Sequence, residues 1–238
     1  KKYGLKSKYR ILPKQFGYYR GYTVLEIEQV CVSTNTMSYK SYLKCRNHSF
    51  FVRLLSQHIF SPIHKLTQKF SIKWYDVTRE LTNVVQSENF KGKFKDLYNG
   101  FCNESHTELF DTKEEAIAFY NKPENYEALV QGEIGENLLE KYVSKGILVY
   151  DEIIAALFYV IRNKLNKNYT EKDDLIINSA EKWLKNLYMI DEIFDEEEGR
   201  QTYDQYELKI DFDFPNWVSQ SHMPFEKFKN KGTYKVNY

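Results

Sequence analysis

Helical periodicity constrains this sequence more than any other feature. Between about Glu136 and Lys164, Tyr150, Ile154, Leu157, Phe158, Ile161 and Leu165 fall at three- and four-residue spacings that line one face of a helix. Gly146 is expected to bend or divide this element. The same spacing in Tyr42, Leu43, Phe50, Phe51, Leu54, Leu55 and Ile59 predicts a helix to about residue 60, with Ser38 as its N-cap. A capping box of Thr170 with Asp173 opens another helix through Tyr188, with Ile176, Ala180, Trp183, Leu184 and Leu187 inward.

Shorter helical pieces fill the interval. Ser61-Pro62 starts one that runs to about Phe70, because proline at a first helical position gives up an amide with no partner. A second runs from Ile72 to Val85, and Asp111 with Glu114 opens a third. Residues 87–110 read as a broken helix ending in the polar loop "CNESHTE", and "NKPENYEALVQGEIG" as a break, a short turn of helix and a stop.

Alternation replaces helical spacing only near the ends. Residues 1–21 carry Gly4, Pro13, Gly17 and Gly21 among basic and aromatic residues and read as an extended lead-in. In "YTVLEIEQVCV", Val24, Glu26, Glu28 and Val30 share one face, and Leu25, Ile27 and Cys31 the other, which predicts a strand. "YELKIDFDFPNWV" reads as a short strand halted by Pro215, and "MPFEKFKNKGTYKVNY" ends in one more extended piece. The expected fold class is therefore mainly α: an irregular multi-helix bundle with short strands or extended segments near both ends, the terminal pieces lying near each other at one side. Along the chain this gives a lead-in and strand over 1–37, a helical region over 38–200 and an extended tail over 201–238. No repeat or low-complexity linker interrupts it, so a single domain is expected.

The totals exclude several functions. With 238 residues and 42% hydrophobic content, a sizeable core can form. Net charge is +1, from 34 basic and 33 acidic residues, so no bulk attraction to nucleic acid or membrane is expected as a basis for partners. Charge is segregated instead: the first twenty residues are basic and "IDEIFDEEEGR" is acidic. The 20 Tyr and 16 Phe are first explained by interior packing, and otherwise by a ligand-stacking surface. Cys31, Cys45 and Cys102 are odd in number and widely spaced, which fits a reducing, cytoplasmic setting rather than a disulfide framework. The longest apolar run, "IIAALFYVI", falls far short of the ~20 residues that span a bilayer. The chain begins at Lys1 rather than Met, as expected of a chain that is either processed or a segment of a longer polypeptide.

Little in the chain is catalytic in pattern. The ten glycines never form a dinucleotide fingerprint, a P-loop or a nucleophile elbow. His48 and His58 stand about two to three turns apart on one predicted helix, which is not ligand geometry. His58 and His64 flank the Ser61-Pro62 break; a polar helix end explains them, and a metal or hydrolytic site would need an acid from elsewhere. Asp211 and Asp213 alternate with Phe212 and Phe214, as a half-buried edge strand or a carboxylate pair would. Cys45 beside Arg46 is either a small buried residue or a thiol of lowered pKa.

One stretch stands apart, "CVSTNTMSYKSYLKCR", where a strand passes through small polar residues into a helix. Together with "KYGLKSKYRILPKQFGYY", a "GEIGEN" segment (Gly132, Glu133, Gly135, Asn137, with Leu138 and Tyr142) and the tail residues Phe214, Pro215, Trp217, Pro224, Phe225 and Phe228, it resembles the region after the catalytic barrel in radical S-adenosylmethionine proteins of the cobalamin-binding type. The resemblance loosely covers most of the chain, and the order of its segments carries it. It implies an accessory C-terminal region that caps the upstream barrel of the same polypeptide and contributes to the substrate pocket. On this reading Asn35, Met37, Ser38 and Tyr39 face that barrel: Asn35 and Ser38 fix the turn, and Met37 packs as a plug. The [4Fe–4S] cluster and S-adenosylmethionine, with cobalamin left open, would belong to the parent enzyme. The three cysteines here lack the C-x₃-C-x₂-C spacing that sets three thiolates around one cluster, so no catalytic, cofactor or metal residue is assigned to this segment. The competing expectation is a free-standing helical interaction module that uses the acidic segment Asp191–Glu198 or the basic start.

Overall fold

The computed structural model describes residues 2–165, 170–187, 205–220, 223–228 and 232–237, and among these fourteen helices and strands are labelled. In chain order they are β1 (Lys6–Tyr19), β2 (Tyr22–Ser33), α1 (Tyr39–Leu55), α2 (Ser61–Lys69), α3 (Trp74–Gln86), α4 (Lys93–Thr107), α5 (Lys113–Tyr120), α6 (Pro123–Val130), α7 (Leu138–Lys145), α8 (Tyr150–Lys164), α9 (Glu171–Lys185), β3 (Gln205–Ile210), α10 (Phe214–Ser219) and β4 (Gly232–Asn237). The chain is mainly α, with a two-stranded antiparallel sheet near each end. It divides into two compact units, Lys1–Leu54 with Asp96–Lys145 and Leu55–Lys95 with Gly146–Tyr238. The segments 1–37, 38–200 and 201–238 thus describe chain order, while each packed unit is assembled from separated stretches.

In the first unit, residues 1–21 do more than lead in. β1 pairs with β2 through a two-residue turn in which Arg20 and Gly21 both have positive φ, +50° and +87°, the geometry that matches strand twist in a tight hairpin. Pro13 is accommodated because residues 12–15 stand opposite Glu26 alone, in a bulge that needs no ladder bond from proline. Ile11, with Phe16, Leu25 and Ile27 from the hairpin, packs on Tyr120 and Leu129, joined by Phe110, Phe119, Tyr126 and Ile134. Tyr9 and Phe110 exchange backbone hydrogen bonds at 2.9 and 2.8 Å, which ties β1 to the turn after α4. A second cluster stacks Phe50 and Phe51 of α1 on Tyr98 and Phe101 of α4, with ring centroids 5.0–6.0 Å apart.

Three sequence expectations are corrected here. "CNESHT" is the last turn and a half of α4 rather than a loop. The N-cap before α5 is Thr112 with Glu115, not Asp111 with Glu114; Asp111 is engaged by Lys8 at 2.6 Å instead. α1 stops at Leu55, so His58 lies in a separate 3-10 turn.

In the second unit Tyr150, Ile154, Leu157, Phe158 and Ile161 of the expected face are buried, Leu165 is half-buried at the C-cap, and α8 packs on α3 and α9. The element before it is divided at Gly146, where a 3-10 turn follows α7. Thr170 and Asp173 form the expected capping box on α9. β3 pairs with β4, while "DFDFPNW" leaves the strand. Asp213 accepts from Asn216 N at 3.2 Å as the N-cap of α10, and Phe212, Phe214 and Trp217 are buried. Among the described residues no helix is long and apolar enough to cross a membrane.

Candidate functional site

The polar run between β2 and α1 forms a hydrogen-bonded elbow. Thr34 N donates to Met37 O at 2.8 Å, and Thr34 Oγ1 accepts from Thr36 N and Met37 N at 3.2 and 3.1 Å. Ser38 Oγ then accepts from Ser41 N at 3.1 Å and so serves a free amide in the first turn of α1. Asn35 ties the elbow to the segment before β1: its N donates to Tyr3 O at 2.9 Å and its Nδ2 to Lys2 O at 3.2 Å. Gly4 makes that approach possible. Its φ is +58°, and a Cβ there would stand 1.8 Å from Asn35 Oδ1. Asn35 and Ser38 are exposed, while Met37 and Tyr39 are half-buried.

Tyr39 leads from the elbow to a network of charges. Its ring stacks on Tyr42 at 6.2 Å and lies 6.1 Å from His106, with the Lys8 ammonium 5.4 Å from the ring centre. Beyond it, the carboxylate of Glu108, in the turn just after α4, accepts from Arg46 of α1 and, at 3.2 Å, from Arg10 of β1; Arg10 also donates to Glu28 of β2. One turn earlier on α4, Glu104 accepts from Lys141 at 2.7 and 2.9 Å and from the Tyr142 hydroxyl at 2.8 Å, both on α7. Lys141 also donates to Glu133 O at 2.7 Å. Five elements of the first unit are joined through two carboxylates four residues apart, Glu104 in the last turn of α4 and Glu108 just past its end, where Glu108 N donates to Glu104 O at 3.0 Å.

Burial shapes the electrostatics. It pushes the Glu108 carboxyl above the usual carboxylate range, and Arg46 and Arg10 pull it only part of the way back. For Arg10, burial lowers the pKa, but Glu108 and Glu28 more than offset that and hold it above the usual guanidinium value. Tyr142 is raised by burial first, and then by its hydrogen bond to Glu104. Tyr120 is raised by burial, with Glu108 and Glu104 adding to the effect. Both tyrosines therefore keep their protons far into alkali, and Tyr142 serves Glu104 as a donor. Both carboxylates are saturated with cationic or phenolic donors, so the network suits a rigid mount better than proton transfer. Among the described residues, Tyr39 Oη, Arg46 Nε and Asn47 Oδ1 of α1 and Ser105 Oγ of α4 are buried without a hydrogen-bond partner.

The "GEIGEN" residues and the tail have structural work. Gly132 and Gly135 sit at φ +74° and +71°, and a Cβ on Gly135 would stand 2.3 Å from Leu129 Cδ2. Asn137 O accepts from Lys141 N at 2.9 Å in the first turn of α7, and Leu138 is buried. In the tail, Phe214 and Trp217 pack with ring centres 5.6 Å apart, Phe228 is buried and Pro224 is exposed.

The other sequence candidates do not converge. His64 Nε2 contacts Leu55 O at 3.1 Å and its ring lies on Trp74, 3.7 Å between centres. Cys31 and Cys45 are exposed and Cys102 half-buried, all as free thiols. Among the described residues no group of three or more His, Cys, Asp or Glu is placed to hold a metal ion. Asp191–Glu198 lies outside the described residues. The charge network escaped the sequence reading because Arg10, Arg46, Glu108 and Lys141 share no local spacing.

Comparison with protein-family models finds no match, and none is found among curated proteins or solved structures.

Proposed function

We propose that this chain is the accessory C-terminal region of a radical S-adenosylmethionine enzyme of the cobalamin-binding type, working in the cytoplasm and capping an upstream catalytic barrel at its substrate side. The observation that carries the reading is the elbow Thr34–Tyr39. This segment, one of those that carry the resemblance, ties residues 2–4 to the start of α1 and runs into the network around Glu108. A cap must hold its wall still, because radical intermediates are protected by excluding water and stray hydrogen donors. A hairpin and helix locked by charge-assisted hydrogen bonds suit that role.

The hairpin also offers a contact face. Gly17 pairs with Val24 and Tyr19 with Tyr22, which puts all four on one side of the ladder; Tyr19, Tyr22 and Val24 are exposed by 65, 75 and 47%. The described residues of this chain do not fit a [4Fe–4S] cluster, since the three thiols lie on β2, α1 and α4. The cluster and S-adenosylmethionine are therefore assigned to the barrel, and no step is assigned to them here.

The test is Met37→Lys in the intact polypeptide. Docking of the elbow predicts faster limited proteolysis between barrel and cap and a lower melting temperature. Unchanged proteolysis and melting would contradict it.

A further inference from the structure

A cleft of about 680 Å³ opens within the second unit between α3, α8 and the loop of residues 87–92, inside the size range of small-molecule sites. It arises from two matched helix faces. α3 contributes Glu80, Asn83 and Val84, with Ser87 at its C-cap, and α8 contributes Glu152, Ala155, Ala156 and Tyr159; both sets are spaced i, i+3, i+4, i+7. The central positions on α8 are alanines, so the helices approach without filling the space between them.

The loop that closes the cleft is held in place. Glu152 accepts from Lys93 N and Phe94 N at 3.0 and 2.8 Å, at the start of α4. Gly92 has φ +122°, and a Cβ there would stand 2.5 Å from Glu152 Oε2. The charges of the lining are then unequal. Glu152 is occupied by helix amides, and Glu80 is paired with Lys164 at 3.4 Å. Among the described residues Lys91 is the only cation of the lining, and none of them forms an ion pair with it. Phe90 and Tyr159 supply aromatic surface, Tyr159 being 56% exposed, and Asn83 and Asn89 place side-chain amides in the lining.

We infer that this cleft binds a small organic monoanion with a planar apolar ring. The ring would lie over Ala155 and Ala156 against Phe90 and Tyr159, and the anionic group would meet Lys91. This goes beyond the capping role and does not depend on it.

The experiment is titration of the full chain with 2-naphthoate, 2-naphthamide and 2-naphthylmethylammonium, followed by calorimetry and amide NMR. Saturable one-to-one binding of the carboxylate is expected, at least roughly tenfold tighter than either analogue, as one charge-assisted contact provides. Lys91→Ala should remove that preference. Ala155→Phe fills the floor from an exposed helix position and should abolish binding while circular dichroism stays unchanged. Absence of saturable binding, equal binding of all three probes, or binding that survives Ala155→Phe would overturn the assignment.

Discussion

Arg10 on β1 donates from Nη1 to Oε1 of Glu108, just past the end of α4, at 3.2 Å, joining residues 98 apart in sequence, with side chains 25% and 11% exposed. Glu108 is also the acceptor for Arg46, so its removal leaves one guanidinium without its carboxylate and another with only Glu28. Glu108→Ala should cost about 2–4 kcal/mol, the loss expected when one partner of a largely buried pair is deleted. In a double-mutant cycle with Arg10→Met, chemical denaturation should give a coupling of about 1–3 kcal/mol. Additive effects would mean the pair is incidental.

Tyr142 gives the network a pH signature. Its pKa is raised in the folded protein, so the native state holds a proton that the unfolded chain releases near the usual value of about 10. This contribution is fully present below pH ~10 and is lost as pH rises through the folded value. Denaturation series above pH 9 should show stability falling with pH, and Tyr142→Phe should flatten that slope. An unchanged slope would place the alkaline sensitivity elsewhere.

Gly135 is fixed by geometry rather than by preference for a loop. Its φ of +71° and the 2.3 and 3.0 Å approaches of its missing Cβ to Leu129 and Ile11 leave no room for a methyl. Gly135→Ala should therefore cost about 2–4 kcal/mol by combining left-handed strain with overpacking. Gly21→Ala, where a Cβ meets nothing within 4 Å, should cost less. Melting of the two variants tests the ordering.

Two buried serines should respond in opposite directions. Ser179 Oγ accepts from Phe212 N at 3.1 Å, so Ser179→Ala should destabilise by about 1–2 kcal/mol through an orphaned amide. Ser105 is fully buried and its Oγ has no protein partner, so Ser105→Ala should be neutral or stabilising. A comparable loss at Ser105 would point to a bound water there.

Particular residues show what the sequence disclosed. The apolar stripe of α8 and the Thr170–Asp173 box were readable because both are local: each depends on spacing within a few turns. "DTKEE" was read one residue early because Asp111–Glu114 and Thr112–Glu115 satisfy the same pattern, and only Lys8, distant in sequence, engages Asp111 and separates them. Pro13 concealed a strand whose bulge depends on β2. "CNESHT" looked like a loop because Glu104 and Ser105 are polar, yet Ser105 is buried and Glu104 is partnered from α7. The elbow could be located from its composition, whereas the network that stiffens it is non-local.

The capping proposal is tested most directly on the full-length native polypeptide, purified without oxygen and assayed for iron, for the electron paramagnetic resonance of a reduced cluster, and for reductive cleavage of S-adenosylmethionine. The account predicts a chain that extends upstream into a barrel, carries a [4Fe–4S] cluster and releases 5′-deoxyadenosine. A native polypeptide that carries no cluster and leaves S-adenosylmethionine intact would contradict it.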